Sequence, residues 1–192
     1  CDWSSDVCSS DLWRTWTVKT LILTLVALNL TASAYAVLLP VFAADVFHGD
    51  ATTLGWLWGA AGCGAFASTI DLATRKAVPA VVSAIVAGVA ISMVSMLAFA
   101  MTTWLPLALA GMIGLGFGIS VCNVGINMVL QSIAPETLRG RIVSFFTSAR
   151  FGFDALGGLL AGFVASWLGA GHTLLVEGGA LLLFVVFLFT RR

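Results

Sequence analysis

The stretch VPAVVSAIVAGVAISMVSMLAFAM, residues 78–101, runs from Val78 to Met101 without one charged side chain. About 20 apolar residues in a helix are enough to cross the hydrocarbon core of a bilayer, so this stretch predicts a transmembrane helix. The rest of the chain has the same character, because hydrophobic residues make up 60% of it and charged residues only 9%. A water-soluble domain of this composition would aggregate. The sequence therefore predicts an integral membrane protein in contact with the lipid bilayer. No nucleic-acid partner is predicted, because the sequence lacks the basic patches of nucleic-acid-binding proteins.

On either side of residues 78–101 lie further apolar stretches, separated by charges, glycines, prolines and polar clusters. We predict an all-α membrane protein whose six transmembrane helices span residues 19–46, 52–72, 78–101, 104–133, 140–168 and 172–190. In this arrangement every basic residue except Arg150 falls on one side of the membrane. Those residues are Arg14, Lys19, Arg75, Lys76, Arg139, Arg141, Arg191 and Arg192. Because positive residues are retained in the cytoplasm, both termini are predicted to be cytoplasmic.

The first twelve residues, CDWSSDVCSSDL, do not belong to this pattern. They resemble the translation of a sequencing adapter, and they have neither the basic flank nor the apolar core of a signal peptide. We expect residues 1–12 to be a non-native leader, residues 13–192 to be the six-helix domain, and the chain to be a fragment. Cys63 and Cys122 each stand alone in an apolar stretch, with no Cys or His at metal-ligand spacing. Both are predicted to be buried and reduced, and no metal or cofactor is predicted.

The predicted helices fall into two sets of three with matching character. The first and fourth carry amides, the second and fifth are rich in glycine, and the third and sixth are almost wholly apolar. An odd number of spans per set inverts the second copy in the membrane, as in many secondary transporters. The predicted fold class is therefore two inverted three-helix repeats.

A polar stripe follows one face of the fourth predicted helix, because its members recur at three- and four-residue spacing. They are Ser120, Asn123, Asn127 and Gln131. An unpaired amide in hydrocarbon costs several kcal/mol, so this face is predicted either to line a substrate pathway or to hydrogen-bond with other helices. A weaker patch in the first helix contains Asn29, Thr31, Ser33 and Tyr35, followed by Pro40, which is predicted to kink the helix. Asn29 and Ser33 are candidates for the substrate pathway, and the alternative is that the hydroxyls of the patch bond back to their own helix backbone.

Arg150 and Asp154 are charged residues inside the fifth predicted helix. Ionisable residues within a membrane are functional candidates by default. Asp154 is a candidate for proton coupling and Arg150 for binding an anionic group. The alternative is a structural ion pair, since residues at i and i+4 share a helix face.

The predicted cytoplasmic loops contain Asp71, Arg75, Lys76, Arg139 and Arg141. Their charges either signal topology or form ion pairs that hold a gate closed. On the predicted outer side, the side chains of His48, His172 and Glu177 are predicted to be solvated.

Two segments carry a resemblance to a known family: NMVLQSIAPETLRGR, residues 127–141, and ALGGLLAG, residues 155–162. They resemble helices 10 and 11 of bacterial exporter-like members of the major facilitator superfamily. The resemblance extends over residues 13–192, as helices 7 to 12 of a twelve-helix fold, and implies a missing N-terminal half. It implies that the predicted first and fourth helices line a central cavity. It also places Asp71, Arg75 and Lys76 at the family's cytoplasmic gating motif, without the motif's inner glycine and first basic residue.

The resemblance implies a secondary active transporter in the bacterial cytoplasmic membrane. We expect proton-coupled export of a small organic molecule by alternating access, with neither substrate nor direction legible in the sequence. The alternative is a six-helix channel or structural membrane subunit that oligomerises. An enzyme is not expected, because the predicted spans lack a Ser/His dyad, a metal cluster or paired catalytic carboxylates.

Overall fold

In a computed structural model, residues 16–75 and 77–190 are described. They form long helices joined by short connections, with no strand in these ranges. The helices are α1 (Trp16–Val41), α2 (Ala51–Thr74), α3 (Val78–Met101), α4 (Leu105–Ile133), α5 (Arg139–Leu168) and α6 (Ala170–Thr190). A π-helical turn, Phe42–Val46, extends α1, and a 3-10 turn, Glu136–Leu138, precedes α5. The predicted leader, residues 1–12, lies outside the described residues.

Four stretches of the described chain are long and apolar enough to cross a membrane. They are Thr20–Val46, Val78–Met101, Leu105–Ile133 and Glu136–Leu168. The apolar stretch described in α6 is shorter, Gly171–Leu183, and α2 is rich in glycine and tryptophan, which lower its hydropathy. The all-helical membrane protein is confirmed, whereas the count of six spans remains a prediction.

The helix ends follow local sequence signals. Asp50 caps α2, since its carboxylate accepts hydrogen bonds from the Thr52 and Thr53 amides at 3.0 and 3.2 Å. Proline lies in the first turn of both α3 and α4, where its missing N–H leaves no hydrogen bond unmade. Pro40 lies inside α1, and the backbone changes to the π-helical turn at Phe42; the kink at Pro40 stays a prediction.

The helices pack in a definite order. Helix α4 packs against α2 and α3, helix α1 packs against α5 and α6, and α3 and α6 also touch. Two buried apolar clusters result, one at each end of the bundle. The cluster at the predicted outer end includes Phe42, Phe99 and Met112, and the cluster at the predicted cytoplasmic end includes Leu72 and Phe146.

Glycines allow two of these helix pairs to approach closely. At the crossing of α2 and α4, a Cβ atom on Gly116 would meet the backbone of Ala61. At the crossing of α1 and α5, a Cβ on Gly157 would meet the backbone of Leu30 and the hydroxyl of Ser33. Only a residue without a side chain fits at these two crossings, so Gly116 of α4 and Gly157 of α5 have a packing role.

Candidate functional site

An amide pair joins the two helices that were predicted to line a cavity. The Asn29 side-chain amide of α1 donates to the Asn123 side-chain oxygen of α4 at 3.1 Å and to the Leu25 carbonyl at 2.8 Å. The Asn123 amide in turn donates to the Ile119 carbonyl at 3.1 Å. Asn29 is 4% and Asn123 5% exposed, so both amides are buried and paired. This pairing is the interhelical hydrogen bonding that was predicted as one of the two roles of the polar stripe.

The other part of the stripe is more accessible. The Gln131 amide donates to the Asn127 side-chain oxygen at 2.6 Å, one helical turn away. Asn127, Gln131 and Ser120 are all half-buried. The stripe thus has one buried position, Asn123, with the half-buried Ser120 on one side of it and the half-buried Asn127 and Gln131 on the other, nearer the predicted cytoplasmic end.

The polar patch of α1 is largely satisfied within its own helix. The Thr31 hydroxyl donates to the Ala27 carbonyl at 2.8 Å, and the Ser33 hydroxyl donates to the Leu30 carbonyl at 3.1 Å. Ser33 is buried at the crossing with α5. Tyr35 is different, because its half-buried ring lies 6.1 Å from that of Trp58 on α2. Tyr35 is therefore the member of the patch that reaches the side of the bundle where α2 and α5 are open.

Arg150 and Asp154 do not form the ion pair that their spacing allows. The one salt bridge among the described residues lies elsewhere, between Arg75 and Asp71. The Arg150 guanidinium stacks 5.1 Å from the centre of the Phe151 ring, and Asp154 is exposed. Tyr35, on the neighbouring helix α1, lies within electrostatic reach of both charges. The sequence did not predict this Tyr35–Arg150–Asp154 cluster, because no pattern in the sequence indicates that α1 packs against α5.

The predicted cytoplasmic loop is held by a two-point ion pair. Arg75 donates from Nε and Nη2 to the two Asp71 carboxylate oxygens at 2.8 and 3.0 Å, and from Nη1 to the Ala80 carbonyl at 3.2 Å. The Asp71 carboxylate raises the pKa of the Arg75 guanidinium. This fork fixes the end of α2 against the start of α3. Lys76 lies outside the described residues, and Arg139 and Arg141 are exposed at the start of α5.

Two sequence predictions about single residues are wrong. Cys63 is exposed, although Cys122 is buried; Cys63 shares a face of α2 with Gly59, where no other helix of the described chain packs. Glu177 is half-buried rather than solvated, and its Oε2 atom is buried with no hydrogen-bond partner among the described residues. His48 and His172 are exposed, as predicted.

Helices α2 and α5 leave one face each without a packing partner. A Cβ atom would meet nothing within 4 Å at six of their glycines, and large apolar side chains of both helices are exposed. Those glycines are Gly55, Gly59, Gly62, Gly140, Gly152 and Gly162. These two faces, called here the open faces, adjoin the Tyr35–Arg150–Asp154 cluster. Among the described residues no group of three or more His, Cys, Asp or Glu side chains is arranged to hold a metal ion.

The sequence of this chain is similar to a family of membrane transporters and to a known efflux pump. The family described as transmembrane secretion effectors matches residues 14–192. The chain is 31% identical over 183 residues to the multidrug efflux pump Tap of Mycolicibacterium fortuitum. That alignment covers 94% of this chain and 44% of Tap, so the chain spans less than half the length of this relative.

Proposed function

This chain belongs to the transmembrane secretion effector family of the major facilitator superfamily, and from that premise we propose that it is half of a secondary active exporter. The cargo is a small organic molecule, and transport proceeds by alternating access. The observation that carries the proposal is the pair of unpaired charges, Arg150 and Asp154, on the least buried span of a membrane bundle. A structural subunit has no need of such charges.

The energetic argument starts from where these charges lie. Asp154 is 15 residues from the start of α5 at Arg139, or about 22 Å along the helix at 1.5 Å per residue, which is deep inside a hydrocarbon core of about 30 Å. A charge there costs roughly 2.5–3.5 kcal/mol when it faces lipid. Asp154 is exposed and forms no ion pair with Arg150. A water-filled cavity beside this face of α5 therefore explains the exposed charge better than contact with lipid does.

A second half would complete that cavity. The open faces of α2 and α5 carry glycines that let another helix approach closely, and Tap is more than twice as long as the aligned region. We infer that a further six-helix half packs on both open faces and that the cluster lies between the halves. Genomic sequence upstream of Trp13 tests this: a further six-helix stretch in the same frame supports it, and a start codon near Trp13 contradicts it.

The packing order supports the inverted-repeat arrangement within this half. Helix α1 packs on α5 as α4 packs on α2, and α1 packs on α6 as α4 packs on α3. If α1, α2 and α3 are exchanged with α4, α5 and α6, the same helix pairs are in contact. This symmetry is expected of two related three-helix units. In this arrangement the Asn29–Asn123 pair joins the equivalent helices of the two units.

We assign roles to the predicted site residues as follows. Arg150, Asn127, Gln131 and Ser120 contact the substrate, and Asn29, Asn123 and Ser33 hold the pathway helices together. Asp154 carries the coupling proton. The Asp71–Arg75 pair, with Lys76, Arg139 and Arg141, forms the cytoplasmic gate, and both termini lie in the cytoplasm of a bacterial cell.

Dye export by the complete protein in proteoliposomes tests these roles. With a proton gradient imposed, a lipophilic fluorescent cation is expected to be exported, and a protonophore is expected to stop it. The Asp154→Asn variant is expected to lose the dependence on the gradient. Asp45→Asn is the matched control, because Asp45 is exposed in the π-helical turn at the predicted outer end. Unchanged proton dependence in Asp154→Asn would remove the coupling role, and passive dye flux insensitive to the protonophore would favour a channel.

A further inference from the structure

Glu177 on α6 is an acidic residue without a role in the proposed transport site. The buried face of α6 consists of Thr173, Leu174, Gly178 and Leu181. Glu177 follows Thr173 by four residues and precedes Leu181 by four, so it shares that face. Its Oε2 atom is fully buried and accepts no hydrogen bond from a described residue. This oxygen of the carboxyl group therefore lies in the helix interface and away from the aqueous phase.

The surroundings of Glu177 offer no compensating charge. On α3, which faces the neighbouring Gly178 through Met96 and Leu97, no residue is ionisable. On the described side chains of α1 the ionisable residue is Tyr35, the π-helical turn that extends α1 contributes the exposed Asp45, and α5 contributes Arg139, Arg141, Arg150 and Asp154. None of these forms a salt bridge with Glu177. His172, on α6 itself, is exposed.

The hydroxyl groups nearby do not help a charged carboxylate either. Thr173 is fully buried, and its hydroxyl donates to the Gly169 carbonyl at 2.8 Å. Its proton is thus committed within the helix, which leaves the Thr173 oxygen as an acceptor only.

An isolated carboxylate in an apolar interface is costly enough that such groups neutralise instead. We propose that Glu177 is a proton-binding site, occupied as the neutral carboxylic acid in the interface of α6 with α1 and α3. It lies seven residues from the start of α6, about 10 Å along the helix. Its proton exchanges with the outer aqueous phase when that interface loosens. The site is separate from Asp154, and it deepens the proposed function by supplying a second protonation step.

Infrared spectroscopy of the complete protein in lipid tests the proposal directly. Wild type at neutral pH is expected to show the carbonyl stretch of a protonated carboxylic acid, and Glu177→Gln is expected to lose that band. Glu177→Asp keeps an acid at the site and is expected to shift the band, which guards against a glutamine variant that fails to fold. Asp154→Asn is the matched control and is expected to retain the band. Identical spectra of wild type, Glu177→Gln and Glu177→Asp would overturn the proposal.

This readout does not depend on transport. A Glu177 band in a protein that exports nothing would preserve the proton site and refute the proposed function. Export by a protein that lacks the band would refute the proton site and preserve the proposed function. If both hold, Glu177→Gln is expected to shift the pH profile of dye export, whereas a purely structural role would lower the export rate equally at every pH.

Discussion

The close approach of α2 and α4 at Gly116 makes a quantitative prediction about stability. In Gly116→Ala the new Cβ would lie 2.7 Å from the Ala61 carbonyl carbon and 2.8 Å from its Cα. Ordinary contact begins near 3.4 Å, and backbone atoms cannot rotate aside, so the two helices must move apart. Overpacking of this kind costs about 1–3 kcal/mol, whereas alanine regains roughly 0.5–1 kcal/mol over glycine in a helix. We expect a net loss of about 1–2 kcal/mol in unfolding free energy.

A thiol-reactivity assay measures this loss. The buried Cys122 reacts with a maleimide when the bundle opens, and a background in which Cys1, Cys8 and Cys63 are replaced by alanine removes the other thiols of the chain. Unfolding in mixed micelles with rising denaturing detergent then gives the midpoint for each variant. Gly179→Ala on α6 is the matched control, because a Cβ there meets nothing within 4 Å. Equal midpoints for Gly116→Ala and Gly179→Ala would refute the close approach of α2 and α4.

Two further predictions concern the Asn29–Asn123 pair and the Asp50 cap. A double-mutant cycle with Asn29→Ala and Asn123→Ala is expected to give a coupling of about 0.6 kcal/mol, at most ~1.7, measured by the same unfolding assay; additive effects would contradict the buried hydrogen bond. The Thr53 and Thr52 amides lower the pKa of Asp50 below its ordinary value of 3.8. Its stabilising effect is therefore present above that value and is lost as the pH falls through the lower folded-state pKa. Stability measured from about pH 6 down to pH 2 should fall more steeply in wild type than in Asp50→Asn, and parallel curves would contradict the cap.

The sequence located the helices closely. The predicted stretch 78–101 coincides with α3, and 140–168 differs from α5 by one residue at its start. The reason is physical: a chain in hydrocarbon must satisfy its backbone hydrogen bonds internally, so each apolar run becomes a helix and each polar interruption becomes an end. Pro40 likewise marked the point where regular helix gives way to the π-helical turn.

The direction in which each polar side chain faces was harder to predict. The sequence placed Asn123, Asn127 and Gln131 on one stripe, but it could not show that Asn123 is sealed against a residue 94 positions away. Its spacing also allowed an ion pair between Arg150 and Asp154 as an alternative to their functional roles, and the structure does not form that pair.

The sequence by itself determined that this is a helical membrane protein, because composition and the length of apolar runs are set along the chain. Its exporter-like character was implied by the resemblance of residues 127–141 and 155–162 to the major facilitator superfamily. Only the tertiary structure decided that Asn29 meets Asn123, that Tyr35 lies near Arg150 and Asp154, and that Glu177 is half-buried. Those facts depend on which helices pack together and at what rotation. In an almost uniformly apolar chain the hydrophobic pattern carries little of that information, because lipid tails and the protein interior are equally apolar and a leucine is stable in either.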